Sequence, residues 1–318
     1  MAIKWGYSLN CWTHQSNSIR KDTNERNFKV CAMGKYQGVE MQIRAGRWAP
    51  LGFPKIIGQV YGGAKEYKEY LEGLGITDVI GWDCNPGTLG PMHTGGFDTT
   101  NESCWDALGE ALVPYCEFLQ TVGSKYLICR PMNSWWKVNP VTDEKILAAA
   151  KCWNKVGAVT AKFGVKVLLH VDWLCAANSV HAIDLLMENT DPALVGLCID
   201  TGELAMVQID PLAVYEAHAD RTEMFHFSQI FVADTLEEYK KPFAEDIITN
   251  GGERGIVRWF WEMDCPENPG LVKFVPIMES IKAHGFDGWI VIEDSQTPEP
   301  AASVLFNSWY MQKVLQKI

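Results

Sequence analysis

Residues 142–172 read TDEKILAAAKCWNKVGAVTAKFGVKVLLHVD. Thr142 is an N-cap residue, and Lys145 sits at the third helical position. No proline interrupts the run from Asp143 to Phe163, alanines recur through it, and Gly164 stops it. Straight after that glycine, Val165-Lys-Val-Leu-Leu-His170-Val-Asp172 has the length and apolar content of a buried strand, up to its polar end. A helix, a one-residue connection and a strand make one α/β unit.

The same unit recurs outward in both directions. Strands are expected at Lys4–Asn10, Gly38–Ile43, Asp78–Asp83, Lys125–Arg130, Val165–Asp172, Val195–Asp200, Met224–Ser228 and Gly288–Glu293. Most pairs are separated by a helical stretch; Leu271–Ala283, closed by His284-Gly285, is another clear one. Strands alternating with helices imply a parallel sheet with right-handed crossovers, and eight such units close a barrel. A doubly wound nucleotide-binding sheet would need a glycine-rich turn after its first strand, and Asn10-Cys-Trp-Thr-His-Gln15 offers none. The expectation is therefore an α/β protein, a (β/α)8 TIM barrel forming one domain over residues 1–318. The 318 residues and 35.7 kDa suit that fold, in which single domains reach about 250 residues or more. Three strand-to-helix connections are long, spanning Arg44–Tyr61, Cys84–Ser103 and Gln229–Gly270, whereas helix-to-strand connections are short. Barrels carry their active sites on the side of the long connections.

Composition excludes several classes. Lys and Arg total 28 against 39 Asp and Glu, a net charge of −11, and no basic stripe exists to follow a phosphate backbone, so no nucleic-acid partner is expected. The ten cysteines show no C-x-x-C spacing, and several lie in apolar runs, as Cys129 and Cys198 do, which reads as reduced core thiols in a cytoplasmic protein. No charged-then-apolar leader and no apolar run of about 18 residues occurs, so no membrane partner is expected.

The informative feature is that apolar strands finish in polar residues. His170 and Asp172 are two apart and share a strand face. Leu197-Cys-Ile ends in Asp200, Met224-Phe-His226-Phe-Ser228 carries a histidine, and Trp289-Ile-Val-Ile ends in Glu293-Asp294. In a barrel these four consecutive strand ends are neighbours, and their inward groups converge. Carboxylates brought together in a half-buried site repel unless a cation compensates, and imidazole with carboxylate makes a mixed nitrogen–oxygen site for a divalent ion. His170, Asp200, His226 and Glu293 are thus the candidate metal ligands.

On these residues the chain resembles the xylose-isomerase-like barrel superfamily of sugar phosphate isomerases and epimerases. The matching segments are Gly38-Val-Glu40, Val195-Gly-Leu-Cys-Ile-Asp200-Thr-Gly, His226 and Gly285-Phe-Asp-Gly-Trp-Ile-Val-Ile-Glu293. The resemblance implies a divalent ion held by Glu, Asp, His and Glu on strands five to eight. Asp200, His226 and Glu293 keep those roles, and His170 stands where the family has its first Glu. The family often has His where Asp172 and Glu203 stand here, and Lys where Ser228 stands.

Many of the family's epimerases move a proton between two metal-touching glutamates. With His170 replacing one of them, a one-sided reaction fits better: a base removes a proton next to a ketone, the ion holds the enolate oxygen, and a β-group leaves. His170, Asp172 and Glu203 are the candidate catalytic residues, with Asp172 or His170 favoured as base. A narrower resemblance, resting on His170 and on long loops rich in Trp, Tyr and Gly, is to the barrel subunits of bacterial C-glycoside deglycosidases. It implies elimination of the aglycone from a 3-keto C-glycoside and an ion that is commonly manganese (Mn2+). Magnesium, cobalt, iron and zinc stay open. It also implies a small second subunit, and further copies of the chain are the other protein partner considered. A sugar or glycoside is the expected small-molecule partner.

Arg130, Glu40, Gln42, His14, Trp135 and Trp136 are candidate substrate contacts. Arg130 ends the fourth strand and suits a keto or hydroxyl oxygen, the alternative being an ion pair with Glu40. Glu40 and Gln42 share a face at the second strand and suit sugar hydroxyls, as does His14 in the loop beyond the first. The 13 tryptophans, among them Trp12, Trp48, Trp82, Trp173, Trp259 and Trp261, either stack on sugars or build small loop cores. A metal-dependent isomerase or epimerase and a non-catalytic barrel remain the alternatives to a lyase; endonuclease chemistry would need more histidines and a different charge.

Overall fold

A computed structural model describes residues 3–12, 21–43, 52–89, 96–244, 259–263, 269–297 and 299–318. With strands numbered in chain order, β1 (Lys4–Ser8), β2 (Gly38–Ile43), β3 (Asp78–Cys84), β4 (Tyr126–Cys129), β5 (Lys166–His170), β6 (Val195–Asp200), β7 (Thr222–Phe227) and β10 (Trp289–Ile292) form a closed barrel. Every pairing is parallel, and the ring shuts where Lys4–Tyr7 of β1 lie against Trp289–Ile292 of β10. The fold is the TIM barrel that the alternation of strands and helices predicts.

The period of two along each strand sorts side chains into two layers. Ile80, Ile128, Leu168, Cys198, Met224, Trp289 and Val291 fill the barrel interior. Residues of opposite parity, such as Val39, Leu127, Leu169, Ile199 and Phe225, pack outward under the helices. β3 departs from strict alternation. Between Val39 and Met41 of β2 the partner strand runs from Val79 to Trp82, one residue more. That bulge turns Trp82 outward against Tyr115 and Phe118 and sets Asp83 on the interior side.

The helix after β4 spans Asp143–Thr160 and tightens into a 3-10 turn at Ala161–Phe163. The Thr142 hydroxyl accepts the Lys145 N–H at 3.4 Å, and Gly164 ends the element at φ 70°, which glycine adopts without steric cost. The expected helix Leu271–Ala283 instead starts at Phe274, and the Leu271 and Val272 N–H groups donate to Ile230 O and to Gln229 Oε1. The long connections are more structured than their loop-like composition suggests. Pro54–Tyr61 is helical, with Pro54 in its first turn. After β7, β8 (Gln229–Ile230) and β9 (Trp259–Trp261) pair antiparallel.

Over this mouth lies a second small core of Trp173, Leu174, Met206, Ile230 and Ala244, with Trp136 and Tyr239 against it. Trp12, Trp82 and Trp173 are buried. For Trp173 the loop-core reading of the tryptophans holds, whereas Trp12 and Trp82 belong to the main core; none of the three is a stacking surface. His14 and Trp48 lie outside the described residues. Among the described residues no helix is long and apolar enough to cross a membrane.

Candidate metal centre

β5, β6, β7 and β10 bring their inward-facing last positions to one point at the C-terminal mouth. One ligand atom from each of His170, Asp200, His226 and Glu293 lies within 4.8 Å of the others, and all four residues are buried. His170 Nε2 is 3.4 Å from Asp200 Oδ2, which is 3.8 Å from His226 Nδ1. His226 Nδ1 and Glu293 Oε2 are 2.8 Å apart, yet their geometry is off-line, and both atoms are buried without a hydrogen bond. Two such atoms aimed past each other leave a lone pair and a carboxylate oxygen facing a shared position. Two imidazoles and two carboxylates around it balance a doubly charged ion, so the donor set fits a divalent metal.

The remaining lone pairs are tied down. Asp200 Oδ1 accepts the Glu203 N–H at 2.8 Å and the Ser228 hydroxyl, which in turn accepts the Gly202 N–H at 2.9 Å. Asp200 is thereby the N-cap of the helix Thr201–Met206, with Oδ2 left for the centre. Asn10 Nδ2 donates to Glu293 Oε1 at 2.5 Å, leaving Oε2. His226 Nε2 meets Glu40 Oε2 at 2.9 Å, leaving Nδ1.

The electrostatics are those of a cation site. Burial works against a charged His226, but the neighbouring carboxylates of Glu40 and Glu293 overcome it and hold its pKa well above the ordinary value. Burial likewise opposes charge on His170, yet Asp200 and Asp83 leave its pKa raised. Burial alone would lift the Glu293 carboxyl, but His226, His170 and Asn10 pull it down to about 2. Glu203 goes the other way: burial and the nearby Asp172 and Asp200 push it well above the usual carboxylate range. Burial keeps the Cys198 thiol protonated, its pKa raised to about 11.

Beside the cluster, the Arg130 guanidinium grips Asp172 with its fork, Nη2 reaching Oδ1 at 2.5 Å and Nε reaching Oδ2. This corrects the alternative pairing weighed from sequence, because Glu40 is taken by His226. Asp172 also accepts the Cys175 N–H at 2.9 Å, and Glu203 Oε2 accepts the Trp173 N–H at 2.8 Å. Glu40 is 0% exposed, so its expected role as a direct sugar contact gives way to the bond with His226. Gln42 shares its interior face; the Gln42 amide is buried, with neither of its polar atoms hydrogen-bonded. Trp135 and Trp136 form a short helix with Lys137 and Val138, where Trp135 meets Tyr239 edge-on at 6.2 Å and Trp136 packs on Phe243 at 5.1 Å. Asn10 and Asp83 are site neighbours missed from sequence. The polar-end rule applied to the first strand finds Asn10, and Gly81 inside β3 signals the bulge that turns Asp83 inward.

A closed parallel barrel with an imidazole–carboxylate cluster at its C-terminal mouth defines a metal-site TIM barrel. The chain belongs to the xylose isomerase-like TIM barrel family, whose model matches residues 28–306. A protein of Lacticaseibacillus casei named inosose dehydratase is 27% identical over 201 residues, which are 60% of this chain and 64% of that protein. One of the same name from Clostridium beijerinckii is 30% identical over 196 residues, 58% of this chain and 62% of that protein. The chain therefore spans less than two thirds of the length of these relatives. Among solved structures, the probable 3-DHS dehydratase AsbF of Bacillus anthracis superposes with a TM-score of 0.71 at 11% identity, covering 98% of this chain and 99% of that one. The IolI protein with a bound zinc atom gives 0.69 at 13% identity, covering 99% of each chain. At such identities these two likenesses show the fold.

Proposed function

We propose that the chain is a divalent-metal-dependent lyase acting on a keto-sugar or a related ketone of a polyhydroxylated ring. The observation that carries this reading is the convergence of His170, Asp200, His226 and Glu293 with the Arg130–Asp172 pair and Glu203 beside them. Those four residues would hold the ion, which when bound supplies a Lewis acid for the ketone oxygen and the negative charge that develops there.

The chain's own groups divide the proton work. His170 as a ligand has no lone pair on that nitrogen for a proton, so Asp172 is the base for the hydrogen next to the ketone, its carboxylate oriented by Arg130. Glu203, raised by burial and by Asp172, keeps its proton near neutral pH and is the acid that delivers it to the departing β-group. A base and a distinct acid suit a one-way elimination better than exchange between two equal glutamates. The name of the inosose dehydratase relatives supports elimination and points to water as the leaving group. The aromatic rim of Trp135, Trp136, Tyr239 and Phe243 favours a larger one, and the finer proposal is loss of the aglycone from a 3-keto C-glycoside with Mn2+ bound.

The test is incubation of the manganese-loaded protein in deuterated buffer with a 3-keto C-glycoside and, separately, with a keto-inositol, followed by chromatography and mass spectrometry. Release of aglycone or water supports the lyase. Deuterium exchange with no leaving group lost would favour the isomerase reading and sink this one.

A further inference from the structure

We infer that Glu40 is the positioning residue of the metal centre: it holds the proton on His226 Nε2 and so presents Nδ1 to the ion. The inference rests on the metal-centre reading. Glu40 stands on β2 and His226 on β7, with β1 and β10 between them in the ring, so the carboxylate reaches across the barrel interior to make the 2.9 Å contact. Both side chains are 0% exposed. The contact is on the Nε2 edge of the ring, and the Nδ1 edge faces Asp200 and Glu293. A carboxylate accepting from one ring nitrogen fixes the other as the lone-pair donor, which is how metal-bound histidines are commonly oriented.

A purely structural part for Glu40 fits the surroundings poorly. Its second oxygen, Oε1, is buried without a hydrogen bond. A buried carboxyl with an unmet oxygen costs stability relative to an apolar side chain of similar volume. A group held at that cost and aimed at one nitrogen of a candidate ligand serves the ligand.

The test uses the full chain with Mn2+ and Zn2+ alone, measured by calorimetric titration on the parent, Glu40→Met and Glu40→Gln, with circular dichroism confirming that each folds. Glu40→Met is expected to weaken both metals about 10- to 100-fold. Glu40→Gln, whose amide oxygen still accepts the Nε2 proton, is expected to lose less. In the zinc-loaded parent the His226 ring N–H proton should resonate downfield and exchange slowly, and Glu40→Met should abolish both properties. Metal affinity in Glu40→Met within threefold of the parent overturns the inference. Should Glu40→Met fail to fold, the parent still decides: a His226 Nε2 without a downfield, slowly exchanging proton in the zinc-loaded protein would overturn the inference. A parent that binds neither metal defeats the metal-centre reading itself, and the ring-proton signal in the metal-free proteins then still decides whether Glu40 holds His226.

Discussion

His226 meets a carboxylate on each of its nitrogens, Glu40 at Nε2 and Glu293 at Nδ1, and it is the residue through which both sides of the barrel mouth communicate. Removing it leaves Asp200 and Glu293 without a shared imidazole, and removing the Glu293 charge leaves the ion with one carboxylate. His226→Ala and Glu293→Gln are each expected to weaken Mn2+ by more than about 100-fold, beyond the usual cost of losing an outer partner. A ligand that binds only the folded state stabilises it by about 4 kcal/mol at a thousandfold excess over its dissociation constant. The parent should therefore melt higher with Mn2+ than with a chelator, and that difference should vanish in both variants. Equal metal-induced shifts in parent and variants would remove these residues from the centre. At this scale the sequence was partly readable. Strand-end polar residues of one parity identify what faces inward, which is why the four clustered residues could be named. It does not say which inward group leans across the ring. Glu40 and His226 lie 186 positions apart and Arg130 and Asp172 lie 42 apart, so neither pairing is visible one strand at a time.

Among the elements, the junction between β6 and the helix Thr201–Met206 does most to shape the site. Asp200 ends the strand, caps the helix and turns one oxygen to the cluster, and the Ser228 hydroxyl at the end of β7 braces it. Gly202 is what allows that brace. A Cβ at position 202 would stand 2.4 Å from Ser228 Oγ and 3.1 Å from Ser228 Cβ, closer than unstrained atoms approach. Gly202→Ala should therefore push β7 away from the helix, destabilise the protein by about 1–3 kcal/mol as overpacking does, and weaken metal binding as Asp200 loses its orientation. Ser228→Ala removes the hydroxyl alone and is expected to cost about 1 kcal/mol. Urea unfolding with metal titration separates the two, and a Gly202→Ala protein with parental stability would show that the junction yields freely. β3 shows a limit on legibility. Its bulge reverses side-chain parity between Ile80 and Asp83, and only the interior Gly81 hints at it.

The whole molecule closes on its own ends. β1 pairs with β10, so the ring exists only once the first and last strands have met, and the final helix Pro300–Lys313 lies behind that seam. Asn307 on this helix is the fastening. Its Oδ1 accepts the Met263 N–H at 2.8 Å, and its Nδ2 donates to Asp294 Oδ2 at 3.1 Å. Asp294 in turn accepts the Tyr7 hydroxyl of β1 at 2.6 Å. One buried amide thus joins the first strand, the end of β10 and the segment after β9. Asn307→Leu keeps the volume but leaves the Met263 N–H and an Asp294 oxygen buried without partners, each worth about 1–3 kcal/mol. The expected result is a loss of about 2–6 kcal/mol in urea unfolding, with faster exchange of amide protons in β1 and β10 than in β4 and β5, because the seam opens before the far wall. Metal affinity should fall as well, since Asp294 adjoins Glu293. If β1 and β10 instead exchange no faster than β4 and β5 in this variant, ring closure does not depend on the C-terminal helix.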